Sequence, residues 1–245
     1  MNRKSNSLTP YQKLQLDLAK VISNTKPGER LLSEPKLAHE LGVSRSTLRE
    51  VMRIFEGQGM IRRRQGVGTF VVSNEQSLET GLEVLESIES MARRLKLAVS
   101  LGVMQVNRHP ADPDQAKALG VDENTTVVEV KRTILVEGRP VAYLIDTLPE
   151  NLLPPDELRS GFTGSVLDLL LKRGSPPLGN SRTEIRAVPA ISEVARALEI
   201  QRGDVLLCFA ATLYTMDGQA IDTSQSYFLP GYFRFHVVRH IGTPT

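Results

Sequence analysis

The segment SRSTLREVMRIFEGQG, residues 44–59, constrains the fold more than any other part of the chain. Four apolar residues recur in it at positions i, i+3, i+4 and i+7, which places them on one stripe of a helix. Ser44 suits the N-cap of this helix, and Gly57 and Gly59 end it. Such a stripe must be buried against other elements. It consists of Leu48, Val51, Met52 and Phe55.

Two helices are predicted before this segment. Thr9 and Gln12 fit a capping box at the start of the first, and the residues TKPGE at 25–29 end it. The second is short, begins after Ser33 and ends at Gly42. A short helix joined to the next by a tight turn containing glycine is typical of a helix-turn-helix that binds DNA.

The side of the third helix opposite its apolar stripe carries Arg45, Ser46 and Arg49. An arginine can donate two hydrogen bonds to the O6 and N7 atoms of guanine in the major groove. The hydroxyl groups of Ser44, Ser46 and Thr47 are small enough to contact phosphates or base edges. The pattern therefore predicts that this side of the helix lies in the major groove of DNA.

The residues IRRRQGVGTFVV, 61–72, predict a β-hairpin, because two β-prone runs flank a tip that contains glycine. A Walker phosphate loop needs a Lys-Ser/Thr pair after its last glycine, and a dinucleotide loop needs a following helix. This stretch has neither feature, so a wing beside the helix-turn-helix is the favoured interpretation. Gly66 and Gly68 would then approach the DNA backbone closely, and Arg63 and Arg64 would lie near phosphates.

The charge of the chain is unevenly distributed. Residues 1–75 hold 13 Lys and Arg against 7 Asp and Glu, a difference of +6. Residues 76–245 hold 17 against 21, a difference of −4, and the two parts together give the net charge of +2. This asymmetry favours two domains, of which the first faces a polyanion. A solvated basic surface is the alternative interpretation.

Composition excludes or disfavours several classes of protein. The single cysteine, Cys208, excludes a disulfide framework and is interpreted as a buried structural thiol. No apolar run approaches the length of about 18 residues that a membrane-spanning helix needs, so no membrane partner is expected. The basic N-terminal segment lacks the apolar stretch of a secretory signal, so a cytoplasmic protein is expected.

A weak internal repeat appears in the second part of the chain, where residues 116–146 parallel residues 195–225. Each unit is interpreted as a short helix, a polar turn and two strands, with hairpin tips at Glu137-Gly138 and Asp217-Gly218. The units predict an α+β domain in which two equivalent hairpins form an antiparallel sheet with helices on one side. A cleft between the halves is a predicted ligand site. Convergent hairpin composition is the alternative.

Residues 8–72 resemble the winged helix-turn-helix of the GntR family of transcription regulators. The resemblance is carried by PGERLLSEPKLAHELGVSRSTLREVMRIFEGQGMIRRRQGVGTFV, in which Leu32 replaces a proline that is usual in the family. It implies that Glu34 orients the arginine at Arg49. It also implies DNA contacts from Lys36, Ser44, Arg45, Ser46, Thr47, Arg49, Gln65 and Gly66.

Residues of about 88–240 resemble the UTRA effector-binding domain of the HutC subfamily. The motifs that carry this resemblance are VKRTILVEGRPVAYLIDTLP, FTGSVLDLLLKRG, SEVARALEIQRGDVLL and MDGQAIDTSQSYFLPGYFRFHV. The resemblance implies a chorismate-lyase-like α+β fold. The predicted domains are a winged helix-turn-helix at 8–73, a linker at 74–87 and a UTRA-like effector-binding domain at 88–243.

Five residues are predicted to bind the effector. Arg132 fills the position of a family arginine, whereas Ile134 replaces a second one, which weakens the case for a phosphorylated sugar. Arg132 and Ser165 together would suit an anionic group. The alternatives are that Arg132 pairs with a nearby carboxylate and that Ser165 caps a helix at 166–173. The set is Arg132, Asp146, Ser165, Asp222 and Tyr227, in which the two aspartates suit hydroxyls or an amine.

These resemblances imply a ligand-responsive transcription regulator, a repressor whose operator affinity changes when a small-molecule effector binds. A homodimer on a palindromic double-stranded operator is expected, without cofactor, metal or catalytic residue. One alternative is a winged-helix protein fused to a chorismate-lyase-like enzyme domain, and another is a purely architectural DNA-binding protein. A metal site at His236 and His240 is disfavoured, because on a strand the two residues would lie about 13 Å apart.

Overall fold

The computed structural model describes residues 9–57, 60–64, 66–72, 78–153, 158, 162 and 164–237. The chain divides into two compact units, Met1–Ser77 and Leu78–Thr245. The first is a winged helix-turn-helix, and the second is an antiparallel sheet with helices, so the predicted α+β class with two domains is confirmed. No helix among the described residues is both long enough and apolar enough to cross a membrane.

Among its described residues, the first unit has three helices followed by a two-stranded hairpin. Its first helix begins at the predicted cap, because the Thr9 hydroxyl accepts from the Gln12 backbone N–H while the Gln12 side chain accepts from the Thr9 N–H. The elements are α1 Pro10–Asn24, α2 Glu34–Glu40, α3 Arg45–Gly57, β1 Ile61–Arg64 and β2 Gly68–Val71.

The core of the first unit contains the apolar stripe of α3, as the sequence predicts. All four stripe residues are buried, and they pack with Leu14, Leu18 and Ile22 of α1 and with Leu37 of α2. The wing belongs to the same core, because Ile61 on β1 and Val71 on β2 are also buried in it. The hairpin is thereby held against the helices by apolar burial.

The second unit alternates strands with short helices. Its first strand and its last pair in parallel, with Leu78 opposite Phe233 and Gly81 opposite His236. The elements are β3 Leu78–Gly81, α4 Ile88–Arg94, β4 Val99–Pro110, α5 Pro113–Leu119, β5 Thr126–Val136, β6 Arg139–Pro149, α6 Val166–Arg173, β7 Leu178–Pro189, α7 Ser192–Ala197, β8 Val205–Thr215, β9 Ala220–Phe228 and β10 Phe233–His236.

Within the described ranges, six antiparallel strands form the main sheet in the order β4-β5-β6-β9-β8-β7. The two halves of this order are equivalent, since β4-α5-β5-β6 and β7-α7-β8-β9 each run strand, helix, hairpin. The two predicted hairpins are therefore confirmed. Glu137 and Gly138 both have positive φ values, 49° and 76°, as a tight hairpin turn requires.

The expectation that helices cover only one side of the sheet is wrong. Consecutive strand residues point to opposite faces. Lys131 pairs with Glu193 of α7 at 2.9 Å, whereas the adjacent Arg132 lines a cavity together with Glu89 of α4 and Ser165. Both faces of the sheet carry apolar residues, and each is covered by helices.

The range predicted as a linker, 74–87, contains two ordered features. Residues 78–81 form β3, and Ser87 caps α4 by accepting from the backbone N–H of Ser90 at 2.9 Å. β3 was not predicted, because its partner β10 lies more than 150 residues later in the chain. Pairing at such a separation is decided by tertiary structure.

Leu18 and Leu16 offer a matched test of the first core. Leu18 is 0% exposed and Leu16 is 49% exposed on the same helix. We expect Leu18→Ala to lower the free energy of unfolding by about 2–5 kcal/mol, since it leaves a cavity. Leu16→Ala should change it by about 0.5 kcal/mol or less. Urea denaturation followed by circular dichroism measures both, and equal losses would contradict the packing described.

Candidate functional site

The start of α3 is organised by Ser44. Its hydroxyl oxygen accepts from the backbone N–H of Thr47 at 3.1 Å, and it also hydrogen-bonds the hydroxyls of Ser46 at 2.8 Å and Thr47 at 2.7 Å. Ser44 is thus the N-cap of α3. Arg45 and Arg49 are exposed beside this cluster. The three hydroxyl groups are held within one turn, next to the side chains predicted to contact bases.

Glu34 joins three elements of the first unit. Its carboxylate accepts from the Nε of Arg49 on α3 at 2.6 Å and from an Nη2 of Arg63 on the wing. Its side chain is 15% exposed. Burial alone would raise the pKa of Glu34, but the hydrogen bonds and charges of Arg63 and Arg49 outweigh it and hold that pKa below its usual value. The carboxylate therefore stays ionised between two arginines.

The wing has the geometry that its glycines require. Gly66 adopts a φ of 73° at the tip, which is the left-handed region that favours glycine. Arg64 lies over the ring of Phe70, with its guanidinium carbon 5.3 Å from the ring centroid. A side chain at Gly68 would place its Cβ 2.3 Å from the Nε of Arg30. Gln65, the predicted contact at the tip, lies outside the described residues.

A basic groove of about 580 Å³ lies between the start of α3 and the wing. It brings together six of the predicted residues, whereas Lys36, Ser44, Ser46 and Thr47 are not in its lining. Lys36 is exposed on the first turn of α2. Of the described lining residues, one is acidic, Glu34, and five are arginines. These are Arg30, Arg45, Arg49, Arg63 and Arg64, with Gly66 and Gly68 beside them.

Arg30 was not predicted, although it lies in the stretch PGERLL of the quoted motif. The sequence around a single basic residue before a helix does not predict the direction of its side chain. The structure places it at the groove through an isolated β-bridge between Arg30 and Phe70 of the wing. The groove therefore presents five guanidinium groups on one surface, which is the chemistry that phosphate oxygens bind.

A second cavity, of about 760 Å³, lies on one face of the main sheet beneath α4 and α6, and we call it the effector cavity. It contains four of the five predicted effector residues, Arg132, Asp146, Ser165 and Asp222. Strand register explains the first two, because Arg132 on β5 lies opposite Leu144 on β6, two residues from Asp146 on the same face. The sheet thus gathers residues far apart in sequence.

Each of these polar groups has a partner within the protein. Arg132, 5% exposed, pairs through its Nη1 with the carboxylate of Asp146. A carboxylate oxygen of Asp222 accepts from the backbone N–H of Thr147 at 3.2 Å. Ser165 caps α6, since its hydroxyl accepts from the backbone N–H of Asp168 at 3.0 Å. The alternatives raised for Arg132 and Ser165 therefore both hold. The Nε of Arg132 is nevertheless buried without a hydrogen-bond partner among the described residues, and the Ser165 hydroxyl keeps its own hydrogen to donate.

Glu89 of α4 lines the same cavity and was missed by the sequence. It is 8% exposed, and neither of its carboxylate oxygens has a hydrogen-bond partner among the described residues. Burial raises the pKa of Glu89, although the charge of Arg132 opposes the shift. Burial and the charge of Asp146 likewise raise the pKa of Asp222 well above its usual value. A glutamate beside Ile88 on an amphipathic helix gives no sequence signal of this burial.

Asp168 of α6 ties the two helices over the effector cavity together. Its carboxylate accepts from the hydroxyls of Ser87 at 2.9 Å and Ser90 at 3.1 Å. It also accepts from an Nη2 of Arg93 at 3.2 Å. Asp168 does not line the cavity itself, but these bonds join α4 to α6 directly above it.

Tyr227 lies apart from the other four predicted effector residues, on the opposite face of the sheet. On β9 the residues Asp222, Ser224, Ser226 and Phe228 line the effector cavity, so the alternate residue Tyr227 points to the opposite face. There its hydroxyl donates to the side-chain oxygen of Gln225 at 2.6 Å, and its ring stacks near that of Tyr143. It lines a separate cavity of about 520 Å³.

The described residues contain no group of three or more His, Cys, Asp or Glu side chains placed to hold a metal ion. His236 ends β10, on a strand as predicted, whereas His240 lies outside the described residues. Cys208 is buried and free.

Two sequence families match this chain. The family described as bacterial regulatory proteins, gntR family, matches residues 10–71, and the UTRA domain matches residues 94–234. The HTH-type transcriptional regulator Rv0792c of Mycobacterium tuberculosis is 30% identical over 224 residues, which cover 89% of this chain and 81% of that protein. The HTH-type transcriptional repressor NagR of Bacillus subtilis is 26% identical and covers 96% of this chain and 97% of its own length.

Further comparisons also find transcription regulators. The histidine utilization repressor of Pseudomonas putida is 28% identical, with 84% of this chain and 80% of that protein covered. The crystal structure of PhnF from Mycobacterium smegmatis has a TM-score of 0.63 at 22% identity, and it covers 94% of this chain and 100% of its own. That structural likeness supports the fold. The named relatives are described as transcriptional regulators or repressors, and none of these names describes an enzyme.

Glu89 gives a test of the effector cavity that needs no ligand. Because its pKa is raised on folding, the stability it contributes is present below the usual glutamate pKa and is lost as the pH rises through the raised value. Glu89→Gln removes this loss. We therefore expect the variant to gain stability relative to the wild type as the pH rises above the usual glutamate pKa, measured by urea denaturation at several pH values.

Glu123→Gln is the matched control, because Glu123 is an exposed glutamate in the turn before β5. Its difference from the wild type should not follow the trend of Glu89→Gln. If the difference between Glu89→Gln and the wild type does not change with pH, Glu89 is not held in a buried site of raised pKa.

Proposed function

We propose that this chain, which belongs to the GntR family of bacterial regulatory proteins and carries a UTRA domain, represses transcription by binding operator DNA with its first unit. A small-molecule effector bound in the second unit changes that affinity. The observation that carries the proposal is the combination of the two family matches with a groove of five arginines at the start of α3. The experiment that tests it is a gel-shift assay with DNA from the promoter region of its own gene. Absence of a sequence-specific shift would refute it.

The DNA-binding surface comprises the start of α3 and the wing. Arg45 and Arg49 lie at the exposed end of α3, where a recognition helix contacts base edges. Arg63 and Arg64 on the wing, with Arg30, supply charge for the phosphate backbone. Lys36, Ser44, Ser46 and Thr47 add donors on α2 and on the first turn of α3, and Gln65, Gly66 and Gly68 belong to the wing tip.

The effector site is the cavity that holds Arg132, Asp146, Ser165 and Asp222. Its volume of about 760 Å³ lies in the range of small-molecule sites. Two relatives, NagR and the histidine utilization repressor, are named as repressors. The proposal that this chain represses transcription is carried over from them. If the effector lowers the affinity for operator DNA by a given factor, DNA must lower the affinity for the effector by the same factor.

A homodimer on a palindromic operator completes the proposal. Two copies of the first unit would occupy half-sites about 34 Å apart, which is one turn of the double helix. The protein would act in the cytoplasm, where bacterial DNA lies. Analytical ultracentrifugation with and without operator measures the stoichiometry, and one chain per operator would contradict the dimer.

Arg45 and Arg64 separate base contacts from phosphate contacts. We expect Arg45→Ala to cost about 1–3 kcal/mol on the operator and to relax the preference at one base pair. Arg64→Ala should weaken binding to all sequences alike and reduce the salt slope by about one. Lys13→Ala, an exposed change on α1 outside the groove, is the control. Identical behaviour of the two arginine variants in titrations at several salt concentrations would contradict this division.

Glu34→Gln tests whether the paired carboxylate positions its two arginines. Loss of the charge frees Arg49 and Arg63, so we expect weaker operator binding together with tighter binding to random DNA, and hence a smaller ratio between the two affinities. Glu40→Gln removes an exposed glutamate on the same helix and should leave the ratio unchanged. A ratio equal to that of the wild type in Glu34→Gln would show that the carboxylate does not position the arginines.

A further inference from the structure

The effector cavity has an excess of negative charge. Of the described residues that line it, one is basic, Arg132, and five are acidic. Two of the acidic residues, Glu83 and Glu86, lie in the segment before α4, and Glu86 pairs with Arg94 at 2.8 Å. The other three surround Arg132, namely Glu89 from α4, Asp146 from β6 and Asp222 from β9.

The positive charge of Arg132 is already compensated. Its Nη1 pairs with Asp146, and Glu89 and Asp222 contribute further negative potential at the guanidinium. An anionic effector would have to compete with Asp146 for the Nη1 of Arg132, and only the Nε of Arg132 is without a hydrogen-bond partner among the described residues. The described lining therefore offers Glu89 and Asp222 no cation other than Arg132, which already pairs with Asp146.

Glu89 is the carboxyl group of the cavity that has no hydrogen-bond partner among the described residues. A buried carboxyl without a hydrogen-bond partner costs free energy, and such groups in native proteins call for an explanation. The hydroxyl of Ser165 lines the same cavity and accepts from the backbone of α6 as its cap. A protonated amine brings one positive charge and up to three N–H donors. Glu89 has no such donor among the described residues, and Asp222 accepts from the backbone N–H of Thr147.

We propose that the effector of this cavity is a small organic cation, an amine whose ammonium group binds beside Glu89, Asp146 and Asp222. The inference rests on the proposed function of the cavity as the effector site. A metal ion is a poor match, because the described residues hold no group of three metal-binding side chains in position. The body of the amine packs against the apolar part of the lining, which includes Met91, Leu144, Leu167, Leu171 and Leu213.

Binding of a cation also releases protons. Without it, Glu89 and Asp222 retain their protons above the usual pH range of carboxyl groups, because burial raises the pKa of each. An ammonium favours the ionised forms and lowers both pKa values on binding. Affinity for the amine therefore rises with pH through the raised pKa values. The charged neighbours that share this field are Arg132, Asp146, Asp168, Glu83 and Glu86.

The experiment uses three amines of increasing size, n-butylamine, cyclohexylamine and 2-phenylethylamine, each with the alcohol and the carboxylate of the same body. Thermal shift of the full chain reports stabilisation, because a ligand that binds only the folded state raises the melting temperature. We expect at least one amine to stabilise the protein more than its matched alcohol, and the carboxylates to have no effect. Calorimetry in buffers of different ionisation enthalpy should show proton release on binding of that amine.

Glu89→Gln keeps the shape of the side chain and removes its charge. We expect it to weaken binding of the stabilising amine about tenfold or more, the scale of one charge-assisted hydrogen bond. Asp222→Asn retains the oxygen that accepts from Thr147 and should act in the same direction. Glu193→Gln, on the opposite face of the sheet, is the matched control and should bind like the wild type.

Stabilisation by the carboxylates in preference to the amines, or by none of the three amines, would overturn the proposal. So would an affinity for the amine that does not change in Glu89→Gln. The gel-shift assay with operator DNA is independent of these results. If glucose 6-phosphate releases the operator and the amines do not, the proposed function stands and the cationic effector is wrong. If no operator is bound at all, the proposed function itself fails.

Discussion

The antiparallel pairing of β6 with β9 is the constraint on which the second unit depends. It joins two equivalent halves of the sheet at the centre, with Leu144 opposite Ser226 and Asp146 opposite Ser224. Since strand side chains alternate between faces, this register decides which residues meet in the effector cavity. A slip of one residue would turn Asp222 to the other face of the sheet. The apolar layers on both faces hold the register in place.

Carboxyl groups serve opposite purposes in the two units. Glu34 is surrounded by donors, so it is ionised and holds Arg49 and Arg63 in one arrangement. Glu89 is buried with no hydrogen-bond donor among the described residues, so burial raises its pKa and its carboxylate oxygens are left to accept from another molecule. The first arrangement prepares a rigid surface for a polyanion. In the second arrangement, the burial of Glu89 costs free energy that a bound cation offsets. The free energy of that binding can shift a conformational equilibrium if the cation binds one state more tightly than the other.

Local features were predicted well, whereas several arrangements between elements were not. The apolar stripe of α3, the capping box at Thr9 and the helix after Ser165 follow from residues within about one or two turns of each other, and the structure has all three. The placement of Tyr227, the coverage of both sheet faces and the burial of Glu89 depend on partners in other elements. The position of Arg30 at the groove likewise depends on another element, because its backbone forms a β-bridge with Phe70 of the wing.

The sequence by itself determined the winged helix-turn-helix and the two hairpins, because these follow from short-range periodicity, caps and turn residues. Its motifs carried the resemblance to the family. Its predicted effector residues included four that the fold brings together. Only the tertiary structure decided that Arg132 is compensated by Asp146 and that Glu89 joins the cavity unpaired. Charge balance in a buried site depends on which side chains meet across strands and helices, and those distances follow from packing of the whole domain.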